Sequence, residues 1–148
     1  MFVSHQWRQP QQDFSHTLKV LTYNTHALCM GNKQQAQQML AYLNEQDADI
    51  ICLQEVRVYK DAQRMTLPQL RQAMSQYPYT YYDFKRYNSR RQFGNVVFSR
   101  YPLINKQTIS YESQNNISSQ CDVVIKKDTI RLIVNHLESF RIIKEDLQ

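Results

Sequence analysis

Three apolar runs in this chain end abruptly in polar residues. Asn24 follows LKVLTY, Gln54 and Glu55 follow IICL, and His136 follows LIVN. An amide, a carboxylate and an imidazole at the ends of rigid strands would suit work on a phosphate group. A hard cation such as Mg²⁺ keeps several waters and needs only one or two protein carboxylates besides phosphate oxygens. Glu55 can supply one carboxylate. Asn24 can hydrogen-bond a metal-bound water or a phosphate oxygen, and His136 can donate to a phosphate oxygen that gains charge in a transition state. His26, two residues past Asn24, is a second candidate phosphate contact. Each residue also has an ordinary role: Asn closes turns, Glu55 beside Arg57 can form a surface ion pair, and a His on an apolar strand can simply sit at a rim. Only a meeting of the three strand ends would make them a site.

The elements that must position them are legible from periodicity. Residues 18–24 (LKVLTYN) read as a strand, and a turn at Gly31 and Asn32 opens a helix over 33–46. Its apolar stripe is Ala36, Met39, Leu40 and Leu43, one helix face. Residues 49–53 (DIICL) read as a strand covered on both faces. Thr66 and Gln69 have capping-box spacing, and Leu67, Leu70, Met74 and Tyr77 form one face of a helix that Pro78 stops. The period then becomes two, with strands expected at 79–84, 93–99, 104–111, 120–126 and 129–137 and a tight hairpin at Lys127 and Asp128. A closing helix is expected near Ile142. Side-chain alternation puts Ile51, Leu53 and Glu55 on one face, and Leu132, Val134 and His136 on another. The first two strands, joined by a helix, should be parallel and the later ones antiparallel. The expected fold class is α/β (α+β), a mixed sheet with helices on one face. Nothing obvious supplies a second sheet, so the other face should be an exposed apolar patch that invites self-association.

Composition narrows the classes. A formal charge of +5 suits a phosphate-bearing partner. Two glycines in 148 residues exclude glycine-rich phosphate loops, which need several close together. Three widely spaced cysteines make neither a zinc pattern nor a disulfide framework, and fit a reducing compartment. No apolar run approaches the roughly 18 residues of a membrane span, and the N-terminus lacks the apolar stretch of a signal peptide. Cytoplasm is the default expectation. Residues 1–17 are polar and Gln-rich, and read as a disordered lead-in to a patterned region at 18–148.

Four segments in order carry a family likeness: LKVLTYNTH (18–26), ADIICLQEV (48–56), GNVVFSRYPL (94–103) and IRLIVNHLES (130–139). Together they resemble the signature series of the endonuclease/exonuclease/phosphatase (deoxyribonuclease I-like) family. The resemblance covers residues 18–148, and the LQE segment is its most specific piece. It implies Mg²⁺-dependent (or Mn²⁺-dependent) hydrolysis of a phosphoester in nucleic acid, a phospholipid headgroup or an inositol phosphate. Asn24 matches the family's first active-site Asn, Glu55 its principal metal-binding Glu, and His136 a phosphate-contacting His. Longer relatives of similar pattern often carry membrane helices, which this chain lacks.

The family fold is a four-layer α/β/β/α sandwich, and the resemblance places residues 18–148 as its N-terminal half. The family's Asp-x-Asn pair and Ser-Asp-His run, which include the expected general base, have no counterpart up to Gln148. Asp146, in a helical context, is no substitute. The 148 residues alone are therefore expected to turn over slowly or not at all. The alternative is a non-catalytic phosphate- or nucleic-acid-binding module on the same scaffold. Lys85, Arg86, Arg90 and Arg91, interleaved with Tyr81, Tyr82, Tyr87 and Phe93, would be its contact surface.

Overall fold

The computed structural model describes residues 17–87, 90–111 and 116–137, with the backbone alone for 85–87. Residues 1–16 of the expected lead-in and the closing helix near Ile142 lie outside these residues. The described elements run β1 (Val20–Asn24), α1 (His26–Met30), α2 (Lys33–Glu45), β2 (Ile50–Tyr59), α3 (Leu67–Ala73), β3 (Tyr79–Tyr87), β4 (Arg91–Ser99), β5 (Leu103–Ile109), β6 (Ile117–Ile125) and β7 (Asp128–His136).

Helix α2 starts where Asn32 accepts the Gln35 backbone N–H, and buries Ala36, Leu40 and Leu43 as its stripe requires. Helix α3 carries the expected capping box: Thr66 accepts from the Gln69 backbone, and the Gln69 side chain accepts from the Thr66 N–H. It ends at Ala73, before Pro78 is reached, and Met74 and Tyr77 bury themselves from the turn that follows. Element α1 has no counterpart in the sequence reading. All five residues from His26 to Met30 have φ between 48° and 58°, a left-handed turn. Non-glycine residues pay about 1–2 kcal/mol each for this conformation, so tertiary contacts must hold it. Ala27 and Leu28 are buried within it.

Strand β1 pairs parallel with β2, and β2–β4 and β4–β3 pair antiparallel, giving the sheet order β1-β2-β4-β3. This is the expected mixed sheet, and its helix face packs Ile51, Leu53, Val56, Val58, Val96 and Phe98 against the helices. The expectation of an uncovered second face is overturned. Strands β5, β6 and β7 leave the first sheet and form their own antiparallel one. The sheet-to-sheet core joins Ile50, Cys52 and Val97 to Leu103, Cys121, Val123 and Val134. Strands adjacent in sequence and joined by short loops looked like one sheet, but Pro102 and the loop around it redirect the chain across the face. Burial pushes the Cys52 thiol up to about 12 and Cys121 to about 11, as small core residues would be.

Two local expectations also change. The β6–β7 turn is Lys126-Lys127, with Lys126 at φ 55°, while Asp128 already pairs with Ile125. In β2 the register slips between Leu53 and Val56, so Gln54 and Glu55 together oppose Asn95 of β4. Glu55, at φ 55°, is the extra residue of this β-bulge. It does not share the face of Ile51 and Leu53, because Val56 takes that place in the helix-side core.

Candidate active site

The expected strand end after Leu53 is not found: β2 runs on to Tyr59, Glu55 lies within it, and the bulge turns its side chain to the ends of β1 and β7. Asn24 closes β1 opposite Gln54, and its Nδ2 donates to Glu55 Oε1 at 2.8 Å. His136 closes β7, with Nδ1 3.7 Å from the same oxygen. The amide, carboxylate and imidazole therefore meet at one rim, although β1 and β2 belong to one sheet and β7 to the other. His136 is on the same face as Leu132 and Val134, as alternation requires.

Both ends of the Asn24 amide are engaged, because Oδ1 accepts the His26 backbone N–H at 2.9 Å. That bond fixes the amide orientation and leaves one Nδ2 proton for another partner. The His26 side chain is exposed, and among the described residues only its backbone joins the cluster. The side-chain contacts of Glu55 among the described residues fall on Oε1 and none falls on Oε2. Among the described residues no group of three or more His, Cys, Asp or Glu gathers that could hold a metal by itself. A single partly exposed carboxylate fits a water-retaining hard cation and does not fit a closed zinc site.

Four further residues frame the cluster. Thr25 is buried and hydrogen-bonds the carbonyls of Gln54 and Glu55. Arg57 makes no ion pair with Glu55. Its guanidinium lies 5.5 Å above the Phe93 ring, and that ring meets His136 edge-on at 6.3 Å. Fully buried Asn95 donates through Nδ2 to the Ile117 and Val134 carbonyls and to Ser119 Oγ, so β4 holds β6 and β7. Arg57 and Phe93 were named in the sequence for other roles, and Thr25 had a signal of its own, a hydroxyl directly after a strand end. The contacts of Asn95 and Phe93 depend on the second sheet, which periodicity did not reveal.

A cleft of about 310 Å³ opens beside the cluster between the edges of β1 and β7. Its lining includes Thr22 and Cys52, and also Gln54 and Asn135, the residues preceding Glu55 and His136. The aromatic residues of the proposed alternative surface do not share a face. Tyr82 stacks with Phe84 and meets Phe98 on the helix side, whereas Tyr81 packs in the core between the sheets. The side chains of Lys85, Arg86 and Tyr87 lie outside the described residues.

A model of the Endonuclease/Exonuclease/phosphatase family matches residues 21–141. The fold is similar to an endonuclease/exonuclease/phosphatase from Beutenbergia cavernae, with a TM-score of 0.65 and 17% identity, covering 81% of this chain and 38% of that one. It is also similar to truncated TDP2 from Caenorhabditis elegans, with a TM-score of 0.63 and 19% identity, covering 84% and 47%. D. rerio TDP2 complexed with single strand DNA product gives a TM-score of 0.58 and 15% identity, again over 84% and 47%. The chain thus spans less than half the length of each of these structures. No curated protein matches it.

Proposed function

Because the chain belongs to the endonuclease/exonuclease/phosphatase family, we propose that its strand-end cluster is part of a metal-assisted phosphoester hydrolase site acting on nucleic acid. Members of this family hydrolyse phosphoester bonds. The observation that carries the reading is the meeting of Asn24, Glu55 and His136 on one oxygen, Glu55 Oε1, from three strands in two sheets.

Glu55 is the residue that would hold the cation, through Oε2, which takes no contact among the described residues. A bound divalent cation such as Mg²⁺ (or Mn²⁺) polarises the phosphoryl group and stabilises the leaving oxygen. Asn24 aims the Glu55 carboxylate with one amide proton and has a second for a phosphate oxygen. His136, with Nδ1 on the Glu55 side, has Nε2 for the phosphate. Nucleic acid is favoured among phosphoesters because a structural neighbour, D. rerio TDP2, is complexed with single strand DNA product. The net charge of +5 also suits a polyanion.

The test is hydrolysis of bis(p-nitrophenyl) phosphate and of single-stranded DNA with Mg²⁺, Mn²⁺ or EDTA. It uses the 148-residue chain and the longest product of its reading frame. Metal-dependent turnover that falls about 100-fold or more in Glu55→Gln is expected, with the circular dichroism spectrum unchanged. No metal-dependent turnover by either protein, or turnover that Glu55→Gln leaves intact, overturns the assignment.

A further inference from the structure

Glu55 reaches Asn24 and His136 only because β2 bulges. In an unbroken strand its side chain would fall with Ile51 and Leu53 on the helix side, where Val56 now packs. The bulge requires φ 55° at Glu55, a conformation that a non-glycine residue adopts only when held. Among the described residues, Thr25 supplies the hydrogen bonds to the bulge carbonyls from the β1 side. The Thr25 backbone N–H donates to Gln54 O at 2.9 Å, one step beyond the β1–β2 ladder. Its hydroxyl lies 3.0 Å from Gln54 O and 3.0 Å from Glu55 O, so its single proton is shared between the two bulge carbonyls. The same oxygen accepts the Leu28 N–H at 3.1 Å and starts the left-handed turn α1. Thr25 is 2% exposed, so water cannot replace these bonds.

We propose that Thr25 is a positioning residue for the Glu55 carboxylate: its buried hydroxyl ties the left-handed turn after Asn24 to the bulge and so sets where Glu55 points. This rests on the reading of Glu55 as the cation-holding residue. Valine keeps the shape and branching of threonine but can neither donate to the bulge nor accept from Leu28. Serine keeps both functions. A residue that merely filled space would tolerate valine better than serine, and the proposal demands the opposite order.

The experiment is ¹⁵N–¹H correlation spectroscopy of the 148-residue chain with Mn²⁺ as the probe. The Asn24 side-chain amide reports its bond to Glu55, and paramagnetic broadening reports cation affinity. Thr25→Val should move the Asn24 amide signal away from its wild-type position and weaken Mn²⁺ binding about tenfold or more, the usual effect of losing a group that orients a ligand. Thr25→Ser should keep the amide position and bind within about twofold of wild type. If Thr25→Val does not fold, Thr25→Ala, smaller and also without the hydroxyl, carries the same reading. An unmoved Asn24 signal with unchanged Mn²⁺ affinity in the hydroxyl-free variant overturns the role of Thr25. Failure of the underlying reading looks different: Glu55→Gln would then leave Mn²⁺ binding unchanged, and both proposals would fall. A lowered melting temperature in Thr25→Val with wild-type affinity would mark a purely structural residue and also overturn the proposal.

Discussion

Asn24 has little freedom, because its Oδ1 is tied to the His26 N–H and its Nδ2 to Glu55. An exposed amide with two such bonds contributes more to the aim of a neighbouring carboxylate than to the stability of the fold. Asn24→Ala is therefore expected to lower kcat/KM about 10- to 100-fold, as loss of an orienting partner does, while surface truncation moves stability by about 0.5 kcal/mol or less. Steady-state kinetics beside a urea titration would check both. His136 was legible as a strand-end imidazole, whereas Glu55 lies inside β2, beyond the strand end that its apolar run suggests. The route by which Glu55 reaches the rim was not legible, because a bulge is a register slip between two strands and no property of one strand shows it. The link from Thr25 to the bulge is hidden for the same reason: the carbonyls it binds lie 29 and 30 residues away.

At the scale of elements, Asn95 and Asp122 show how the strands that carry the site are held. Asn95 extends from β4 into the space between the sheets and pairs with carbonyls of β6 and β7. Asn95→Ala would remove those bonds and leave the Ser119 hydroxyl without its amide partner. A loss of about 1–3 kcal/mol is expected, from buried polar groups left unpaired. Chemical denaturation would measure it, and His136 should lose its position relative to Glu55. On the outer side of β6, Asp122 accepts from Arg131 at 2.9 Å and from Asn105 at 2.9 Å. These bonds, that to Arg131 foremost, hold its carboxyl below the usual carboxylate range. A depressed folded-state pKa means that the stabilisation is complete above the unfolded value of about 3.9 and is lost as pH falls through the folded value. Urea midpoints of wild type and Asp122→Asn should therefore differ at neutral pH and converge below about pH 4. A gap that persists in acid would assign the effect to packing instead.

The described residues form one helix layer and two sheets, and part of their exposed apolar surface lies where the sheets open. Val20 is 48% exposed on β1, and Ile130 and Ile133 are 44% and 48% exposed on β7. Among the described residues these strands are sheet edges beside the cleft, the positions where another strand can pair. The second sheet covers much of the face that the sequence reading left bare, so association should run through these edges rather than through the broad face of the first sheet. Sedimentation velocity of the 148-residue chain is expected to show concentration-dependent dimers. Ile133→Lys, which places a charge on the β7 edge, should return it to a monomer. Monomer at all concentrations in the unmodified chain would count against edge pairing. Among the described residues no helix is long and apolar enough to cross a membrane.

Local order is what the sequence determined by itself. The stripe of α2, the Thr66–Gln69 capping box, the parallel pairing of β1 with β2 and the strand-end placement of Asn24 and His136 follow from periods and short connections, which neighbouring residues specify. The ordered motifs likewise carried the family. Tertiary structure alone decided three things: the split of seven strands into two sheets, the bulge at Glu55 and the left-handed turn behind it. The physical reason is common to all three. Each sets a local preference against contacts distant in the chain, and the distant contacts win. Short loops favour one sheet, but Ile50, Cys52 and Val97 must be buried, and β6 and β7 supply the cover. Alternation would turn Glu55 towards the helices, but Val56 fills that position and Thr25 binds the displaced carbonyls. Sterics disfavour positive φ at His26 to Met30, but buried Ala27 and Leu28 and the Thr25 hydroxyl hold it there.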